Sequence, residues 1–460
     1  MDIKEILALS FDKALENLTA YKTEQDVAKN RNAYIGKHDI LTDPQRATKT
    51  VGDSQETQRT VKYTKETIPF QKRIVNNAVT FLFGEPVSLI LNNDMQDAFE
   101  LINTVWKQNK LDYFNKKLAR DLFVECSVAE LWHVPPKVVD KPARIRVTLL
   151  SKREGYSIYP HFDDTGDMDA FTIMNEITGA DGKPKETLKI YTAESIIEGI
   201  KESSGWVTKQ TKNLIGKIPI VYYEQDEPEW KSVETQIDRM EYLVSNFADT
   251  NDYFGAPVLQ TKGVVQNLPK KEDPGKVVTV SPEVDADGKV YYPGGAEYIT
   301  WDNAPEAIKE EYNMLKDMIY GMTNTPDLSF SNVKGISNLS GIAIRLMFSD
   351  ALFKAKDKQE IFGPALERRI SIMKSIIGLT NIGMKQQLED ADIDIIFEDV
   401  LPEDLKETIT ALSTARGGEP IMSEESAVRM NPLVTDAEKD IEILAGEKVA
   451  LKSFAESYGV

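Results

Sequence analysis

Few side chains in this sequence are grouped as chemistry would require. Histidines occur only at His38, His133 and His161, far apart and without the His/Cys spacing of a zinc site. They read as ordinary core or surface histidines, and no metal is expected. Asp163, Asp164, Asp167 and Asp169 form an acidic cluster. It lacks the ligand order and bidentate Glu of an EF-hand loop, so a solvated turn is the simpler reading, with weak cation binding as the alternative. Cys126 stands beside Ser127 without a His partner in the sequence and reads as a buried structural thiol. No Gly-Lys-Ser or Gly-Lys-Thr occurs, so there is no P-loop for nucleotide phosphates. No catalytic residue and no cofactor site emerges. Two polar groups remain. One is the stretch Ser329, Ser331, Asn332, Lys334, Ser337 and Asn338, with a single positive charge. The other is Lys262, Lys270, Lys271 and Lys276, which would face nucleic acid, a partner or simply solvent.

The elements that would hold these groups follow from periodicity. Pro305 opens a helix with apolar residues at Ile308, Tyr312, Leu315, Met318, Ile319 and Met322. Asn324-Thr325-Pro326-Asp327 stops it, because the residue before Pro disfavours the α region. After the polar stretch, a second helix runs from about Leu339 through Leu346 and Phe353 to Phe362, and on from Leu366 to Ile377. Gly363-Pro364 predicts a kink or break within it. At 1.5 Å per residue the two helices would be roughly 30 and roughly 60 Å long.

Ahead of this beam the chain reads as α+β, mainly helical. An amphipathic helical stretch covers 3–35, followed by a polar, mobile loop at 42–60. Helices follow from Phe70 and across 95–125, with a short strand at 88–91 between them. Strands are expected at 128–132, 145–147, 156–159, 170–173 and 188–191, and from Ile215 to Tyr223, where Pro219 argues for an edge or entry position. A helix at 229–254 and the helix at 305–324 flank an insert, 255–304, with strands at 258–260, 277–280, 290–292 and 298–301 and a hairpin signal at Asp287-Gly288. Helices flanking an insert in this way are expected to pack antiparallel. A strand at 393–397 and three C-terminal helices complete the chain.

Composition narrows the function classes. The 460 residues, 41% hydrophobic and 28% charged, suffice for several domains with an ample core. No apolar run is long enough to span a bilayer, and the start lacks a signal-peptide pattern. One cysteine fits a reducing cytoplasm. A net charge of −19 argues against a broad grip on duplex phosphates, though not against a surface past which DNA slides.

The ordered set of short motifs is distinctive. It runs Tyr34-Ile35-Gly36, Gly84-Glu85-Pro86-Val87, Ile218-Pro219-Ile220-Val221, Thr325-Pro326-Asp327 and Ser340-Gly341-Ile342-Ala343. Phe397, Pro402-Glu403-Asp404 and Asn431-Pro432 follow. Over nearly its whole length the sequence resembles the portal proteins of tailed bacteriophages, in the SPP1-like branch. The resemblance implies a ring, usually dodecameric, at one capsid vertex of the virion. Under it, residues 1–228 and 339–398 would be the wing, 229–254 and 305–324 the stem helices, 255–304 the clip, 325–338 the tunnel loop and 399–460 the crown. It also implies partners: other copies of the chain, the terminase large subunit, a head–tail adaptor, major capsid and scaffold proteins, and double-stranded DNA in transit. The polar groups at Ser329 to Asn338 would then meet passing phosphates without holding them. Two other readings stand beside it: a different head–tail connector or minor capsid component, and a metal-dependent nucleic-acid-processing enzyme drawing on the many carboxylates.

Overall fold

A computed structural model describes residues 3–21, 25–51, 59–135, 144–179, 182–254, 258–267, 278–285, 287–292, 294–299, 305–328, 341–401, 405–417, 420–434 and 437–458. The N-terminal stretch is three helices, not one: α1 (Ile3–Leu7), α2 (Phe11–Leu18) and α3 (Val27–Tyr34). Asp26 starts α3 afresh by accepting the Lys29 amide at 3.0 Å, an N-cap that terminates any helix coming from upstream. The apolar spacing still has its expected use, because Ile6 and Leu18 pack with Ala170, Leu188 and Ile190. The polar segment 42–60 is not loop throughout, and residues 52–58 of it lie outside the described residues. It contains a 3-10 turn at Pro44–Arg46 and a hairpin of β1 (Lys49–Val51) and β2 (Arg59–Val61).

Helix α4 (Phe70–Phe83) is buried through Ile74, Val75, Val79 and Leu82. It leads to β3 (Ser88–Leu91), α5 (Gln96–Asn109) and α6 (Leu111–Glu125), the last two hinged at Lys110 with φ 52°. Then come β4 (Ser127–His133) and β5 (Arg146–Leu150). A five-stranded antiparallel meander follows, made of β6 (Tyr156–Phe162), β7 (Met168–Thr178), β8 (Pro184–Thr192), β9 (Ser195–Glu202) and β10 (Gly205–Lys212). Strands β9 and β10 escape a pattern search because they are largely exposed and carry little apolar alternation. Strand β11 (Ile220–Glu224), just after Pro219, is an edge of the sheet β11-β4-β5.

Helix α7 (Glu234–Phe254) precedes the insert. Its described strands are β12 (Val258–Lys262), β13 (Val264–Asn267), β14 (Thr279–Ser281), β15 (Glu283–Val284), β16 (Val290–Tyr292) and β17 (Gly295–Ile299). They pair only among themselves, as β12–β17, β13–β14 and β15–β16. Helix α8 (Pro305–Met322) returns the chain.

The beam is α9 (Gly341–Met347) and α10 (Ser349–Thr380), so a break falls at Phe348, while helical backbone runs on unbroken through Gly363-Pro364. Proline 364 forfeits one helical hydrogen bond, but it and Glu360 are exposed, where water can satisfy the freed carbonyl. Helix α10 alone is roughly 48 Å long. Phe362 sits at the centre of the core, with ring centroids 5.0 Å from Phe83, 6.3 Å from Phe123 and 5.4 Å from Tyr223. Helix α11 (Lys385–Asp390) leads into β18 (Ile393–Ile396), which pairs antiparallel with β3, Ile393 opposite Leu91 and Ile396 opposite Ser88. Helices α12 (Leu405–Arg416), α13 (Glu424–Arg429) and α14 (Ala437–Tyr458) end the chain. The fold is α+β with small antiparallel sheets, and no described helix is long and apolar enough to cross a membrane.

Candidate functional site

The insert and its two supporting helices are built from simple parts. Helix α7 buries Ile237, Met240 and Leu243, and α8 buries Leu315, Ile319 and Tyr320 in the same core. Arg239 ties them across solvent, 2.7 Å from Glu311. The two helices are antiparallel. Strands that follow α7 and precede α8 are hydrogen-bonded partners, and Ser232 at the other end shares a pocket with Met322 and Asn324. Exposed carboxylates dominate their outer faces at Asp252, Glu306, Glu310 and Asp317, against exposed Arg239 and Lys309, while Asp238 faces His38 and Asp39 of the N-terminal region. Crowding shows at Asp238, where burial, then Glu241 and Glu234, raise the carboxyl pKa.

The N-terminal region clamps α7. Arg46 donates from Nε to Thr64 O at 3.0 Å and from Nη1 to Asn246 Oδ1 at 2.5 Å, and it pairs with Asp249. His38 Nδ1 bonds Glu241, and its Nε2 lies 2.8 Å from Ala33 O. Burial alone would lower the His38 pKa, but the hydrogen bond and charge of Glu241 outweigh it and hold the imidazole above its ordinary value.

At the far end of α8 the exit is held from both sides. Asn324 takes φ 50°, Thr325 N bonds Tyr320 O at 3.0 Å, and Thr323 Oγ1 donates to Ile319 O at 2.7 Å. Asp327 is 3.1 Å from Arg73 of α4 and 3.2 Å from Lys316 of α8. Lys354 of α10 donates to Thr323 O at 3.0 Å. The candidates Ser329, Ser331, Asn332, Lys334, Ser337 and Asn338 lie outside the described residues, between this fixed exit and α9. Of the four lysines, Lys262 forms an exposed pair with Glu297 at 2.9 Å across the β12–β17 ribbon. Lys270, Lys271 and Lys276 lie outside the described residues.

The scattered candidates stay scattered. His161 lies 2.6 Å from Asp169, and the His133 pKa is lowered, chiefly by burial. Asp163 Oδ1 accepts from the Thr165 amide at 2.8 Å and the Asp167 amide at 2.9 Å, the pattern of a closed polar turn. Cys126 is fully buried at φ 66°, and burial pushes its thiol up to about 12. Among the described residues no group of three or more His, Cys, Asp or Glu could hold a metal ion.

Sequence reasoning missed the ion pairs that fasten α10. Arg369 is fully buried and forks onto Glu130, Nε to Oε1 at 2.9 Å and Nη2 to Oε2 at 2.7 Å. Its Nη1 reaches Asn115 at 2.6 Å, and Trp106 lies over it at 5.5 Å. The signal was present: Arg369 sits three residues after Leu366 and four before Met373, on the apolar stripe. Glu229 is buried between Lys354 at 2.7 Å and Lys358 at 2.5 Å. Burial would raise its pKa, but the two ammonium groups outweigh burial and lower it.

A family model described as phage portal protein, SPP1 Gp6-like, matches residues 17–451. No curated protein sequence matches. Among solved structures, the neck of a native GTA particle computed with C12 symmetry aligns at 10% identity and a TM-score of 0.44, covering 91% of this chain and 97% of that one. The neck of an empty GTA particle computed with C6 symmetry gives 11% identity and 0.40, covering 78% and 88%. The virion of a native gene transfer agent gives 10% and 0.38, covering 87% and 92%.

Proposed function

Because this chain belongs to the SPP1 Gp6-like family of phage portal proteins, we propose that its copies close into a ring, a dodecamer, through which double-stranded DNA enters and leaves a capsid. The role is that of a portal in the head–tail connection, a structural part of the particle. In the finer reading, α7 and α8 are the stem and the insert at 255–304 is the clip, which contacts the head–tail adaptor and the terminase large subunit. The meander and the α10 beam form the wing, against capsid and scaffold proteins, and residues 399–460 form the crown. The observation that carries this reading is the insert. Its described strands pair only with one another, and it rides on an antiparallel helix pair fixed to the core. A self-contained tip on a rigid stalk suits heterologous contacts around a closed ring.

Carboxylates on the outer faces of α7 and α8 support a lumen that repels phosphate and lets DNA slide. Residues Ser329 to Asn338 are proposed as the narrow, polar tunnel loop, with Lys334 as its one cation. Electron microscopy of the purified protein tests the ring: end-on annular particles are expected, and monomers at every concentration would overturn it. Lys334→Glu is expected to lower DNA packaging while rings still assemble, and unchanged packaging would remove that loop as a DNA contact.

A further inference from the structure

Between α1, one end of the meander and α10 lies a cleft of about 780 Å3, within the range of ordinary ligand pockets. Leu7, Met168 and Ile218 give it an apolar wall, and Lys212, Lys217 and Arg368 stand beside that wall. Lys217 donates to Ser371 Oγ at 2.8 Å, and Arg368 donates to Ile220 O at 3.0 Å. Among the described residues, none of these three cations has a carboxylate within 4.0 Å. Of the two carboxylates in the cleft, Asp169 lies 2.6 Å from His161, and Glu194 is exposed, with Lys4 of the same cleft 4.0 Å away. Three cations therefore stand beside one apolar wall with no described carboxylate in direct contact.

We propose that this cleft receives a carboxylate-rich peptide segment of a separate protein, an apolar side chain resting on Leu7, Met168 and Ile218 and its carboxylates meeting Lys212, Lys217 and Arg368. Charge complementarity selects an anionic occupant, and the apolar wall selects one with a hydrophobic anchor. Although Arg368 as a residue is exposed, desolvation at its guanidinium lowers its pKa, with Asp167 pulling the other way.

The probe is a fluorescein-labelled peptide of alternating glutamate and leucine, titrated with the full chain and followed by fluorescence anisotropy. Saturable binding is expected, weakened about tenfold or more by Lys212→Glu with Lys217→Glu and by raised salt. Lys212→Ala, at an exposed side chain, should weaken it by a smaller factor and leave the circular dichroism spectrum unchanged. A lysine–leucine peptide should not bind. Absence of saturable binding, or equal affinity in the charge-reversed variant, would overturn the site. A change in the oligomer's mass in that variant would assign the cleft to a second copy of the chain, which also overturns the proposal. The site does not depend on ring closure, so annular particles that fail to bind the peptide would sink this inference alone.

Discussion

The buried cation Arg369 shows what single residues contribute here. Its fork onto Glu130 closes inside the core, where an ion pair is weak evidence for net stability but losing one partner is severe. Glu130→Ala is expected to destabilise the protein by about 3–5 kcal/mol, because it leaves Arg369 charged and unpaired. Adding Arg369→Met should recover much of that loss, and urea melts of the two variants check both statements. His38 supplies a pH test. Its folded pKa is raised above an unfolded value of about 6.5, so its contribution is fully present below that value and fades as pH rises through the folded one. Asp238, one turn from Glu241, is also raised and shifts in the same sense. The stability difference between wild type and His38→Gln should therefore be largest near pH 6 and shrink toward pH 9. A constant difference across that window would contradict the assignment.

Among elements, α10 carries most of the load, and Phe362 is where four segments meet. Phe362→Ala should cost about 3–5 kcal/mol in denaturant melts, since α4, α6 and β11 cannot all collapse into one vacated site. Helices such as α4, α8 and α10 were legible because burial on one face imposes a 3.6-residue period. Strands β9 and β10 were not, because they are exposed over much of their length and their few apolar residues, such as the adjacent Ile196 and Ile197, do not alternate with polar ones. The break at Phe348 carries no proline or glycine signal, whereas Pro364, which does, lies where the helix tolerates it. The hairpin at 49–61 looked like loop because its anchor, Arg46 on Asn246 and Asp249, reaches about 200 residues along the chain, beyond any local pattern. Of the candidate site residues, Lys262 proved to sit in a cross-strand pair, which neither its type nor its spacing could announce.

At the scale of the whole molecule, the described strands of the insert and of the body are separate in their pairing, and two helices join the two parts. Replacing residues 264–292 with a short glycine–serine linker should leave the thermal unfolding of the body within a few degrees of wild type while abolishing attachment of the tail in particle assembly. Loss of body stability on a calorimetric scan would show that the insert is not a self-contained tip. The net charge of −19 belongs to this scale too, since it concerns association and not fold.

The short ladder between β3 and β18 ties the completion of the fold to the order of synthesis. It joins residues near 90 to residues near 395, so this pairing cannot form until Ile393–Ile396 have left the ribosome. A fragment truncated by premature termination before Ile393 would lack that final latch. Incomplete translation products would thus be poorly shaped to enter, and spoil, a growing particle.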